Sequence, residues 1–146
     1  MKVHVHSRRQ VEKLPARPGV AVVSINNSHD SPVNLYGTWE AVLRLSFDDI
    51  IEERHEEYGR GYVLFSEEVA HTVVSFVRAH QNFDFVVHCA AGISRSVAVG
   101  MFISQLYEAE LKTHATPDTS HHNSHVLRTL RKVAKIWPFD MEGIQS

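Results

Sequence analysis

From Lys2 to His6 the chain alternates apolar and polar positions, the period-two pattern of a short half-buried strand. Ser7 follows, with Gln10 three residues on, and that spacing predicts a capping box opening a short helix. Pro15, Pro18 and Gly19 end it. Val20 to Ile25 is apolar and rich in β-branched residues, which predicts a central strand, and the strand–helix–strand order predicts a parallel βαβ unit. Asn26 to Gly37 is rich in Asn, Ser, Asp, Pro and Gly and reads as loop. Ala41 to Phe47 predicts a further strand, running into Asp48-Asp49-Ile50, and Glu52 to Gly61 predicts an exposed, mobile connection. Ser66 stands as the N-cap of a helix with Glu67 and Glu68 in its first turn, and Val69, Val73, Phe76, Val77 and His80 share one face.

The apolar run Phe83-Asp84-Phe85-Val86-Val87 predicts a buried strand. The segment leaving Ser94 carries Val97, Ala98, Val99, Met101, Phe102, Ile103 and Leu106, apolar nearly all round, and predicts a buried helix. Thr113 to His125 is polar, contains Pro117, and reads as loop. Val126, Leu127, Leu130, Val133, Ala134 and Trp137 mark a last amphipathic helix, which Pro138 stops. The fold class expected is α/β: a central, mostly parallel sheet of about four strands flanked by helices.

Composition adds limits. One domain spanning residues 1–146 is expected, with 43% hydrophobic and 22% charged residues and a formal net charge of -2. That balance gives no reason to expect a nucleic-acid partner. A single cysteine excludes an internal disulfide and fits a reducing compartment. The opening Met1-Lys2-Val3-His4-Val5-His6 lacks the apolar stretch of a signal peptide, and no apolar run approaches the ~20 residues of a membrane helix. A soluble cytoplasmic protein, monomeric and without a membrane partner, is the expectation.

Candidate chemistry concentrates in His88-Cys89-Ala90-Ala91-Gly92-Ile93-Ser94-Arg95-Ser96, between the buried strand and the buried helix. Strand, small-residue loop and helix N-terminus together form a setting for a phosphate-like dianion, because loop amides point inward and the helix end carries partial positive charge. Arg95 can grip two phosphate oxygens. Gly92 can adopt a positive φ, and Ala90 and Ala91 keep side chains out of the way. A cysteine alone is more often a small buried hydrophobe. A cysteine at a strand end, under an anion-binding loop, is placed where a helix terminus favours thiolate.

The nonapeptide resembles the signature of cysteine-dependent protein tyrosine phosphatases: His-Cys, five residues, Arg, then Ser or Thr. Its pattern, HCxAGxSRS, is most similar to the compact dual-specificity branch. The resemblance implies a phosphatase acting on phosphotyrosine, and on phosphoserine or phosphothreonine, in proteins, with no cofactor or metal. It implies Cys89 as nucleophile. Arg95 and the backbone of Ala90, Ala91, Gly92, Ile93 and Ser94 would bind phosphate. Ser96 would ease departure of the sulfur, and His88 would orient the loop. It also implies a general acid, an Asp on a mobile loop upstream of the cysteine. Asp49 is favoured over Asp48, with Asp30 weaker and Asp118 out of the family's order. Alternatives are the same chemistry on a non-protein phosphate ester, an inactive phospho-binding module, and an arsenate-reductase-like redox enzyme, which would want resolving cysteines.

Eleven histidines are many for this length. His114, His121, His122 and His125 cluster in sequence, but a solvated loop is favoured over a metal site. His4 and His6 would share a strand face, exposed at the surface. Tyr36 and Trp39 could stack on an aryl phosphate, though packing is favoured. Arg128, Arg131, Lys132 and Lys135 form a solvated basic stripe on the last helix.

Overall fold

The computed structural model describes residues 1–52 and 61–136. Its elements run β1 (Lys2–Ser7), α1 (Arg8–Val11), β2 (Val20–Asn26), β3 (Ala41–Ser46), α2 (Glu67–Ala79), β4 (Asp84–Cys89), α3 (Arg95–Tyr107), β5 (Glu110–Thr113) and α4 (Ser124–Ala134). The five strands form one sheet in the order β3-β2-β4-β1-β5, and every pairing is parallel. The sheet is therefore one strand larger than the sequence suggests. The extra strand, β5, is short, half exposed and at an edge. Thr113 belongs to it, and Ser124 and His125 belong to α4, so the loop expected over 113–125 is shorter at both ends. The connection at 53–60 and the helix-ending Trp137 and Pro138 lie outside the described residues.

Alternation along β2 divides the molecule into two cores. Ala21, Val23 and Ile25 point to the face where α2, α3 and α4 pack, and Phe85 and Val87 of β4 join them. Val20, Val22 and Val86 point to the opposite face, covered by Val11 of α1 and by Val33 and Trp39 of the long β2–β3 connection. Fully burying each such side chain is worth about 1.5–3 kcal/mol, so the larger face carries most of the stabilisation. α3 is the helix seated most closely on the sheet. A Cβ at Gly100 would lie 2.7 Å from Val5 Cγ2 and 3.0 Å from Leu111 Cδ1, so only glycine lets α3 approach β1 and β5 this far.

The caps follow the sequence. Ser7 accepts from the Gln10 amide while the Gln10 side chain accepts from the Ser7 amide, completing the capping box. Ser66 caps α2 through the Val69 amide. Because all strands are parallel, their C-terminal ends lie along one edge of the sheet. The register sets Ser7 beside Cys89 and Asn26 beside Ser46. This edge is where an open parallel sheet presents a ligand site. No helix among the described residues is long and apolar enough to cross a membrane.

Candidate active site

β4 ends at Cys89, the chain turns through Ala90–Ser94, and α3 starts at Arg95. The turn hinges on Gly92, whose φ is +75°. A Cβ there would lie 2.6 Å from the Ser7 amide nitrogen and 2.8 Å from the His6 carbonyl oxygen. The loop is thus wedged against the end of β1, and only glycine fits. The wedge brings the Gly92 N–H to Cys89 Sγ at 3.3 Å, and Ser96 Oγ lies 3.0 Å from the same sulfur. Both groups can donate to a negative charge on sulfur. Cys89 is only 2% exposed and sits at the floor of a cavity of about 520 Å³. Ala90, Ala91, Ile93, Ser94 and Arg95 line the cavity from the loop, and Asn27, Asp49 and His121 line it from other segments.

Arg95 is 4% exposed. Its Nη1 donates to the Phe47 carbonyl at 2.7 Å, and the guanidinium lies 6.0 Å from the Phe47 ring centroid. Its Nε is buried with no hydrogen-bond partner among the described residues. A buried charged donor left unsatisfied is costly, and an anion in the cavity is the chemistry that would satisfy it. Ser94 is the N-cap of α3, yet its side chain makes no cap bond. It donates instead to Asp49 Oδ1 at 2.7 Å, so no side chain caps the first-turn amides of α3.

The two neighbouring aspartates have different surroundings. Asp48 is 7% exposed. Its Oδ1 accepts from the Ser28 amide, and its Oδ2 accepts from Ser28 Oγ at 2.6 Å and from the Val63 amide at 2.8 Å. Burial pushes its carboxyl up, but the bonds from Ser28 and Val63 and the charge of Arg95 outweigh it and hold the group below the usual carboxylate range. Asp48 staples two loops together. Asp49 is exposed at the cavity rim, and only its Oδ1 is engaged, by Ser94 Oγ and by Asn123 Nδ2 at 2.9 Å. Its Oδ2 has no hydrogen bond among the described residues. Asp30 binds Asn27 Nδ2 and Asp118 binds Ser120, and neither lines the cavity.

Asn123 carries no sequence signal beyond that of an N-cap. Its Oδ1 caps α4 through the Val126 amide, while its Nδ2 donates to Asp49 and to the Ile50 carbonyl. Its own amide donates to the Ser94 carbonyl. The amide side chain therefore ties α4 to the Asp49 segment, accepting on one side and donating on the other as Ser, Thr or Asp could not do in the same way. The backbone N–H adds the tie to the Cys89 loop.

His88 is fully buried, and that burial lowers its imidazole to about 4, so it is neutral. Its Nε2 lies 2.6 Å from Ser24 Oγ, and Ser24 Oγ accepts from Asn26 Nδ2. The Cys89 carbonyl, 3.4 Å from Nδ1, can only accept, so Nδ1 carries the proton of the neutral ring and Nε2 accepts from the Ser24 hydroxyl. Asn26 Oδ1 in turn accepts from Arg8, whose own amide donates to the Ala90 carbonyl. His88 braces the back of the loop and does not reach the cavity.

The clustered histidines disperse. His121 joins the cavity rim. The His122 ring donates to the Thr119 carbonyl, and the buried His125 donates to the Phe65 carbonyl. His114 instead meets His4 and His6, which are half-buried against it rather than displayed at the surface. Among the described residues no group of three or more His, Cys, Asp or Glu side chains is arranged to hold a metal ion. Trp39 is buried in the second core and Tyr36 is exposed, and neither lines the cavity. Of the basic stripe, Lys132 pairs with Glu67 at 2.6 Å and Arg131 donates to Gln105.

No protein-family model, curated protein or solved structure matches the chain.

Proposed function

We propose that the protein hydrolyses phosphate monoesters through a phosphocysteine intermediate, acting on phosphotyrosine, and on phosphoserine or phosphothreonine, in proteins. The observation that carries this reading is the buried Arg95, with an unsatisfied Nε, on the wall of the cavity whose floor is the Cys89 sulfur. The resemblance of His88–Ser96 to the tyrosine-phosphatase signature supports the same chemistry.

In the first step Cys89 Sγ attacks phosphorus. An S–P bond forms as the ester P–O bond breaks, and the departing oxygen takes a proton from Asp49. Arg95 and the loop amides hold the equatorial oxygens, where charge develops. In the second step water attacks phosphorus and gives its proton to the Asp49 carboxylate. The S–P bond breaks, inorganic phosphate leaves, and the Ser96 hydroxyl donates to the released thiolate. Ser94 and Asn123 both grip Asp49 Oδ1, which leaves Oδ2 as the oxygen to exchange the proton. A thiolate nucleophile fits a reducing, cytoplasmic setting, and the chemistry needs neither cofactor nor metal.

One observation favours a second substrate class. Among the described residues no Phe, Tyr or Trp lines the cavity, so an aliphatic, non-protein phosphate ester finds the same contacts as an aryl one. The experiment is hydrolysis of p-nitrophenyl phosphate by the wild type and by Cys89→Ser. Turnover that vanishes in the variant supports the reading, and a folded wild type without turnover on this or any small phosphate ester overturns it.

A further inference from the structure

On the sheet face opposite α3, three imidazoles from two chain segments stack. His6 and His114 lie with ring centroids 4.3 Å apart and planes 8° from parallel, and His4 lies 5.1 Å from His114. His4 Nδ1 and His114 Nε2 are 2.9 Å apart, a hydrogen bond in which one ring donates and the other accepts, so at most one of these two rings can be charged without breaking it. His6 Nδ1 is buried with no partner among the described residues. The stack is held neutral by its surroundings. Burial is the main cause, and it takes His6 down to about 4, helped by the charges of its neighbours and opposed by a smaller pull from Gln10. His4 and His114 are lowered too, again chiefly by burial.

The charged groups facing the stack are mostly cations. Lys112 on β5 and Arg17 beyond α1 act on it, while Asp84 at the start of β4 opposes them and Glu110 partly neutralises Lys112 at 3.7 Å. Charging all three rings would set three unit charges within 6.4 Å of one another, beside two more cations.

Short bonds join this stack to the Cys89 loop. The His114 amide donates to the Val5 carbonyl, and the His114 carbonyl accepts from Gln10 Nε2 at 2.9 Å. Gln10 Oε1 holds the Ser7 amide. The His6–Ser7 peptide is the surface against which Gly92 is wedged, and the Gly92 amide donates to Cys89 Sγ.

We propose that the His4–His6–His114 stack is a proton-operated latch: neutral, it clamps β5 and α1 onto the His6–Ser7 peptide that backs the Gly92 turn, and when charged it releases that turn. This latch goes beyond the catalytic reading and does not depend on it.

The test uses the full, isotope-labelled chain. The Gly92 amide shift and the ring nitrogen shifts of His6, His88, His4 and His114 are followed by NMR from pH 8 to 4, in the wild type and in the double variant His4→Asn/His114→Asn. The latch requires the Gly92 midpoint to coincide with that of His6. In the double variant it must move upward by about 0.7 pH unit or more, the worth of one unit charge removed from roughly 4 Å away in a water-like medium. A Gly92 amide that follows His88 instead, or does not titrate, overturns it. Thermal unfolding reads the same device independently. In the wild type, stability falls as pH drops from about 6.5 toward 4, because the unfolded histidines take up protons that the folded stack refuses. That slope should flatten in the double variant, and equal slopes overturn the latch. Neither readout requires phosphatase activity.

Discussion

The two sides of the cavity are built in opposite ways. The Cys89 side comes from eight consecutive residues, Cys89 to Ser96, whose geometry follows from a strand end, one glycine and a helix start. On the other side Asp49 is placed by hydrogen bonds that span 45 residues to Ser94 and 74 residues to Asn123. Both sides lean on distant segments, but the Cys89 side carries its reactive groups on one continuous stretch braced from behind by the His6–Ser7 peptide. The Asp49 side depends on how the crossovers bring its groups together. Substitutions on the two sides should therefore fail differently.

The largest effect is expected from Cys89→Ser, which should abolish turnover while leaving the thermal midpoint nearly unchanged, because a hydroxyl fits where the thiol sat. Residual turnover above about one thousandth of wild type would mean that the sulfur is not the nucleophile. Gly92→Ala should damage both activity and stability. Its Cβ would meet backbone at 2.6 Å in a positive-φ turn, so a loss of about 1–3 kcal/mol is expected by denaturant titration together with a collapse of turnover.

The two aspartates separate catalysis from stability. Asp49→Asn should slow turnover by about 10²–10⁴-fold with little change in stability. Asp48→Asn should do the reverse, costing about 1–3 kcal/mol while sparing the chemistry. The lowered carboxyl of Asp48 contributes stability that is present above the ordinary Asp value near 3.8 and is lost as pH falls through its folded value. The acid limb of a stability–pH curve should accordingly flatten in Asp48→Asn. Equal losses of turnover in the two variants would erase the distinction between them.

The smallest effect sharpens the comparison most. Asn123→Ser keeps an oxygen to cap α4 but removes both donors. Turnover should drop about tenfold, the worth of roughly one charge-assisted hydrogen bond, while the melting temperature stays close to wild type. A fall in melting temperature without a fall in kcat would reduce Asn123 to a cap.

The sequence by itself determined the local pieces. Alternation along Lys2–His6, the β-branched run from Val20 and the capping box at Ser7 are each written in a few consecutive residues. All three stand where the pattern put them, although the two strands find their partners far along the chain. The Cys89 loop was legible for the same reason. β5 was not: four half-exposed residues carry little pattern. The helix before them ends at Glu108 in a left-handed cap (φ 52°) with no glycine to announce it. The resemblance favoured Asp49 over Asp48, but adjacent residues share their local sequence signals. Their different surroundings come from packing, which turns Asp48 inward to Ser28 and Val63 and leaves Asp49 at the rim. The histidines were grouped by closeness in sequence, yet His114 pairs with His4 across 110 residues because β5 lies parallel to β1. Periodicity and capping are short-range properties of the chain. Which strand ends meet is decided by the order β3-β2-β4-β1-β5, and that order is set by how the helices and loops between the strands cover the two cores.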